Sequence, residues 1–335
     1  MENLSKIKNE LKDFYIPYRD SLSLPDTATF GLEIEFNIKN YVSSGELSLL
    51  KEGTENYTPR LFMYNLGYPK IWKIVSEIEN RIEIVSDVLN DNIETWNTLK
   101  TVLDFIKNNG FYYNGFGGSH VHAFNGIIGN DIDAWITFLK IWASYEEEII
   151  RFTNGEFYFD RIRMKDQSAR CRESIYRYLE KDSLINKRIL PHTLCDRSHT
   201  INFCDELTLD FNYDVIEPTS EFKEATIEYR CPQLTVEPVI WQNNVNFFIK
   251  MMLACKNKKI DIDLLNNRYN NEIFEYNLNL ENINEGKYFD EKAFELSNLV
   301  FDNDLDKYCF LRQYFKDFNE SVEKKRLLKS NKFWK

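Results

Sequence analysis

The sequence predicts an α+β fold: an antiparallel sheet with helices packed on one face, followed by a C-terminal helical extension. Three features of the chain point to it. Several short segments alternate apolar and polar residues with a period of two, as half-buried strands do. Two longer segments, near 93–106 and 131–152, instead repeat apolar residues every three or four positions, as the buried face of a helix requires. From Val239 onward the pattern is helical, interrupted by Asn-rich connections through 260–285.

Residues 1–29 read as a helical lead-in carrying Ile7, Leu11, Phe14 and Tyr15, broken by Pro17 and Pro25 and therefore peripheral. The first strand is Phe30 to Ile38. Phe30, Leu32, Ile34, Phe36 and Ile38 share one face; Gly31, Glu33, Glu35 and Asn37 share the other. Residues 41–70 are polar and turn-rich and read as a long loop. Ile71 to Ser76 and Arg81 to Ser86 form a hairpin about Glu77, Ile78, Glu79 and Asn80.

A helix follows, capped by Asp91 or Asn92, with Ile93, Trp96, Leu99, Val102, Leu103 and Ile106 as its buried stripe and Asn108, Asn109 and Gly110 at its end. Phe111 to Phe124 reads as a strand pair around a glycine-rich bend. Asp131 to Phe152 is a second helix with Ile132, Trp135, Phe138, Leu139, Trp142 and Ile149 inside. Residues 156–190, rich in Arg, Tyr and Glu, read as a helical insertion over a site. Thr200 to Cys204, Leu207 to Phe211 and Ala225 to Cys231 are further strands, and helices near 289–301 and 304–320 complete the chain. The expected organisation is a lead-in at 1–29, a core at 30–255 and a helical extension with a basic tail at 256–335.

Of the 335 residues, 43% are hydrophobic and 28% charged, with only 12 Gly and 8 Pro, which excludes collagen-like and broadly disordered classes. The 53 acidic residues against 42 basic ones give net −11, so overall charge offers nucleic acid no general grip. The basic residues from Lys324 to Lys335 read as a solvated tail. The 6 cysteines show no C-x-x-C pair and read as reduced structural thiols. The N-terminal residues mix charges where a signal peptide needs an apolar stretch, and no segment stays apolar over ~18 residues. A cytoplasmic protein with no membrane partner is expected.

Three strands each place two functional side chains two positions apart, hence on one face: Glu33 and Glu35, His120 and His122, Glu228 and Arg230. Glu83 joins them through the alternation of Ile82, Glu83 and Ile84. If these strands share a sheet, its polar face gathers carboxylates, imidazoles and a guanidinium. Carboxylates clustered in this way repel one another, and a divalent cation relieves the repulsion. Mg²⁺ favours such oxygens and a nucleotide's phosphates, and Mn²⁺ accepts an imidazole more readily. Arg230 suits a phosphoryl group or an acyl phosphate. Taken singly, each pair has a plain structural alternative: a solvated strand face, two satisfied histidines, a cross-face ion pair. The P-loop, dinucleotide-binding, H-E-x-x-H and G-x-S-x-G motifs are absent.

The order of these motifs resembles the amidoligase family, carboxylate-amine ligases related to glutamine synthetase and to glutamate-cysteine ligase. The matching residues are Gly31-Leu32-Glu33-Ile34-Glu35-Phe36, Trp72, Glu83-Ile84-Val85-Ser86, Gly118-Ser119-His120-Val121-His122 and Thr226-Ile227-Glu228-Tyr229-Arg230, within about residues 30–255. The resemblance implies a glutamine-synthetase-like antiparallel sheet whose polar face binds ATP and Mg²⁺, or Mn²⁺ in its place. It implies that Glu35 and Glu83 hold one metal. By the same resemblance Glu33, Glu228 and one of the two histidines, His122 by preference over His120, would hold another between the ATP phosphates. Arg230 would steady the γ-phosphoryl group in transfer.

The activity so implied is attack of a substrate carboxylate on the γ-phosphate, then of an amine on the acyl phosphate, giving an amide, ADP and phosphate. Arg170, Arg172 and Arg197 are candidates for clamping the acid and Asn202 for a polar contact near it, with surface arginines on a helix as the competing reading. Where the family carries an Asp followed two residues later by Ser, this chain has Glu77 and Glu79. That adds about one methylene of reach and bears on substrate choice. The partners implied are carboxylate and amine substrates, as small molecules, peptides or proteins. The same resemblance allows homo-oligomers without specifying one. The competing functions are a metal-dependent hydrolase or phosphotransferase on the same face, and a non-catalytic binding protein on a ligase scaffold.

Overall fold

The computed structural model describes residues 2–37, 71–76, 81–108, 118–156, 170–180, 198–204, 226–278 and 288–316. The loop at 41–70, most of the glycine-rich bend before Gly118, the strand expected at Leu207 to Phe211 and the basic tail lie outside these residues.

Strands β1 (Phe30–Asn37), β2 (Trp72–Ser76), β3 (Arg81–Ser86), β4 (Ser119–Phe124), β5 (Ile201–Cys204) and β6 (Thr226–Tyr229) form one sheet in the order β2-β3-β1-β4-β6-β5. Every pairing is antiparallel. The period-two alternation now has a physical counterpart. Leu32, Ile34 and Phe36 of β1, Val121 and Ala123 of β4, Ile227 and Tyr229 of β6 and Ile201 and Phe203 of β5 are all buried. Together they make one apolar face.

The helices are α1 (Glu2–Lys12), α2 (Ile93–Asn108), α3 (Ile132–Thr153), α4 (Arg172–Glu180), α5 (Pro238–Lys256), α6 (Ile262–Leu278), α7 (Asp290–Val300) and α8 (Asp304–Phe315). Trp142 of α3 packs on Tyr229 of β6 at 5.6 Å between ring centroids, and Phe248 of α5 stacks on the same tyrosine at 3.9 Å. Two helices thus seal one strand's apolar side. Farther out, Phe310 of α8 stacks on Phe152 of α3 at 4.5 Å and on Phe247 of α5 at 5.1 Å, so α8 shares a continuous core with the sheet-bearing part. No helix among the described residues is long and apolar enough to cross a membrane.

Three local expectations resolve differently, and the expected cap of α2 is found at one of its two candidates. Ile93, placed in the buried stripe of α2, is exposed; the stripe begins one turn later at Trp96, which stacks on Phe30 at 5.5 Å. Of the two capping candidates, Asn92 caps α2 by accepting from Thr95 N at 2.9 Å. Asp91 instead accepts from Ser21 Oγ, from Leu22 N and Leu24 N, and from Trp96 Nε1. Those bonds pin the lead-in, whose Leu11, Leu22, Leu24 and Ala28 are buried and not peripheral. Finally, α6 occupies most of the Asn-rich stretch read as connections. Asn is a mediocre helix former, but burial of Leu265 and Tyr269 and the pairing of Arg268 with Glu295 on α7 override that local preference.

Candidate functional site

Strand register assembles the polar face. On β1, Glu35 lies opposite Glu83 of β3, Glu33 opposite His120 of β4, and Gly31 opposite His122. β6 then sets Glu228 opposite His122, and β5 sets Asn202 opposite Glu228. Residues as far apart in the chain as Glu33 and Glu228 thereby line one patch across five strands.

His120 is at the centre. Its Nδ1 lies 2.8 Å from Glu33 Oε2 and 3.3 Å from Glu228 Oε1, and its Nε2 lies 3.8 Å from Glu35 Oε1. His122 Nε2 lies 2.8 Å from Glu33 Oε1, and its Nδ1 is 3.3 Å from Thr226 Oγ1. Glu35 Oε2 accepts from Gly118 N at 2.8 Å. Glu228 accepts from Asn202 Nδ2 at 2.7 Å through Oε2 and pairs with Arg230 Nη1 through Oε1. The patch has a floor and a mouth: the side chains of His120, Glu35 and Glu228 are 5% exposed or less, whereas those of Glu33 and His122 are 20% exposed.

The electrostatics follow from this crowding. Burial alone pushes the Glu33 carboxyl upward, but hydrogen bonds and charge from His120 and His122 outweigh it and hold the carboxyl well below the ordinary carboxylate range. Burial likewise opposes ionisation of Glu228, and the charges of His120 and Arg230 with the Asn202 hydrogen bond prevail, so this carboxyl also shifts down. Both shifts favour the ionised form.

One oxygen or nitrogen each from Glu33, His122 and Glu228 lie within 4.8 Å of one another, a spacing that a single ion can span. Two carboxylates and one imidazole fit Mg²⁺ or Mn²⁺ by donor chemistry. Glu35 and Glu83, opposed and buried, offer a second all-oxygen pair.

The other residues singled out from the sequence are placed as follows. Asn202 reaches the patch, where its amide is committed to Glu228. Arg170 makes a two-pronged bond to Glu147 of α3, and Arg172 Nη1 lies 3.4 Å from the same carboxylate. Glu77 and Arg197 fall outside the described residues. Sequence reasoning missed Thr226 as a site residue, although it stands two positions before Glu228 and so shares its face. It also missed Glu146 and Glu147, because an acidic run on a helix reads as a solvated face, whereas both are buried here.

No family model matches the chain, and no curated protein does. Among solved structures the chain is similar to Plasmodium falciparum glutamine synthetase, at 13% identity and a TM-score of 0.36, with 77% of this chain and 55% of that chain covered. It is also similar to a novel glutamine synthase homolog, at 9% identity and a TM-score of 0.33, with 77% of this chain and 68% of that one covered. The chain spans 55% of the length of the glutamine synthetase that it matches.

Proposed function

We propose that this protein is an ATP-dependent carboxylate-amine ligase that forms an amide through an acyl phosphate. The observation that carries the reading is the convergence of Glu33, His122 and Glu228 from three adjacent strands. The ordered motifs that hold these residues, and that resemble the amidoligases, support it as well.

In this reading Glu33, His122 and Glu228 hold one divalent ion, and Glu35 with Glu83 a second. Bound there, Mg²⁺ or Mn²⁺ would supply the positive charge that offsets the repulsion between a carboxylate and a triphosphate. His120, buried between Glu33 and Glu228, keeps both carboxylates oriented. Arg230, held through one Nη by Glu228, presents its guanidinium to the charge that grows on the transferred γ-phosphoryl group. A carboxylate oxygen of the acid takes that group and ADP departs. The amine nitrogen then bonds to the acyl carbon, expels phosphate and loses a proton. Arg170, Arg172 and Arg197 are proposed for the acid and Glu77 for the amine side. Glu147 fixes the direction of the first two guanidinium groups.

The test is ADP and amide formation measured with ATP, Mg²⁺ and a panel of acids and amines. Equal yields of both that require acid and amine together are expected. ADP or phosphate release that needs no amine would favour the hydrolase or phosphotransferase. Absence of ATP binding at millimolar Mg²⁺ would overturn the ligase reading.

A further inference from the structure

Helix α3 departs from helical geometry at Tyr145 (φ −125°, ψ 17°), and the three glutamates that follow, Glu146, Glu147 and Glu148, are all buried. Each has its own partners. Glu148 faces Lys292 and Phe289 N, and Glu147 faces Arg170 and Arg172. Glu146 is met by neutral donors: Cys171 N at 2.9 Å, Arg172 N at 3.0 Å, Cys171 Sγ at 3.3 Å, Trp142 Nε1 at 3.2 Å and Thr200 Oγ1.

Two of those donors are backbone N–H groups at the start of α4, where a helix leaves its first amides unpaired and favours an anion. Glu146 therefore caps a helix other than its own. Burial and the Glu146 charge push the Cys171 thiol well up, so it stays a proton donor. The Thr200 hydroxyl extends the linkage. Thr200 O accepts from Arg230 N at 2.9 Å, and two residues along β5 Asn202 holds Glu228, the carboxylate that pairs with the Arg230 guanidinium.

One buried carboxylate on α3 is thus joined through a single residue to the backbone of the arginine at the end of β6. We infer that Glu146 is a positioning residue for Arg230, acting through Thr200 to set where the guanidinium stands on the polar face. The inference rests on the ligase reading, in which Arg230 meets the γ-phosphoryl group. Its consequence is that Glu146 governs recognition of the terminal phosphate and not the seating of the metal, whose ligands come from β1, β4 and β6.

The test is a double-mutant cycle on the full chain. Thr200→Val keeps the side-chain shape and removes only the hydroxyl link; Glu146→Gln removes the anion; Arg230→Ala supplies the second background. ATP and ADP affinities are measured calorimetrically at saturating Mn²⁺, and Mn²⁺ alone by electron paramagnetic resonance. The expected result for Thr200→Val is a loss of about fivefold in ATP affinity, with ADP and Mn²⁺ affinities within about twofold of wild type. In the Arg230→Ala background that loss should vanish, because the hydroxyl link acts only by placing a guanidinium that is no longer there. Glu146→Gln should act in the same direction; if it does not fold, the threonine variant decides. Losses that persist undiminished without Arg230, or a parallel drop for Mn²⁺ alone, would overturn the positioning role and leave the ligase reading standing. A wild-type protein that binds Mn²⁺ but no ATP would overturn both.

Discussion

Glu35 on β1 and Glu83 on β3 stand directly opposite each other across an antiparallel pair, and both are buried. Two carboxylates at such positions, when both are ionised, destabilise a sheet by roughly 0.2–1 kcal/mol. Glu83→Gln should therefore raise the melting temperature of the EDTA-treated protein. It should also shrink the further rise on adding Mg²⁺ or Mn²⁺. Thermal melts of both proteins with and without metal check this, and a destabilised metal-free variant would show that the opposed pair is not a source of strain.

Asn202 donates to Glu228 at 2.7 Å and so fixes one oxygen of a proposed ligand while the other remains directed at Arg230. Loss of an orienting partner of this kind weakens metal binding by about 10- to 100-fold. Asn202→Ala should lower Mn²⁺ affinity within that range, and His122→Ala should lower it at least as far, since it removes a donor outright. Mn²⁺ titration followed by electron paramagnetic resonance measures both. Unchanged affinity in the histidine variant would exclude His122 as a ligand.

Asp91 and Asn92 are adjacent and have separate duties. Asn92→Ala removes only the cap of α2 and should cost about 1 kcal/mol. Asp91→Ala releases Leu22 N, Leu24 N, Ser21 and Trp96 together and should cost more, on the order of 2–3 kcal/mol. Urea unfolding gives both values. Limited proteolysis should find the lead-in opened in the Asp91 variant alone.

Glu295 of α7 joins Arg268 of α6 and Tyr145 of α3. Burial pushes its carboxyl up, but the hydrogen bonds from Arg268 and Tyr145 outweigh burial and hold it below the usual carboxylate value. A carboxyl whose folded value is depressed contributes stability above the unfolded value of about 4.3, and that contribution is lost as pH falls through the folded value. Glu295→Gln should accordingly be less stable than wild type at pH ~7, with the gap closing below about pH 4. Urea unfolding at a series of pH values follows the gap. A constant difference would mean that the carboxylate charge is not what holds these helices together.

Much of the sheet is legible locally, because alternation is a property of consecutive residues. The strands expected at Phe30 to Ile38, Ile71 to Ser76 and Arg81 to Ser86 are found at Phe30–Asn37, Trp72–Ser76 and Arg81–Ser86, with Leu32, Ile34, Phe36 and Ile84 on the apolar side as read, and Asp131 and Asn92 announce the starts of α3 and α2. Local patterns fail where a distant partner changes the sign of a residue's preference. Glu146 to Glu148 look solvated until Arg172 of α4, Thr200 just before β5, and Phe289 and Lys292 at the start of α7 supply donors for them. The Asn-rich α6 looks like a connection until Arg268 finds Glu295.

Alternation along the chain sets which side chains share a face within each strand: Glu33 with Glu35, His120 with His122, Thr226 with Glu228. Which strands are neighbours is settled in the folded chain alone. The order β2-β3-β1-β4-β6-β5 puts His122 between Glu33 and Glu228 and places Glu83 against Glu35. Side-chain direction follows from two dihedral angles per residue, whereas strand adjacency is set by burying one common apolar face beneath α3 and α5.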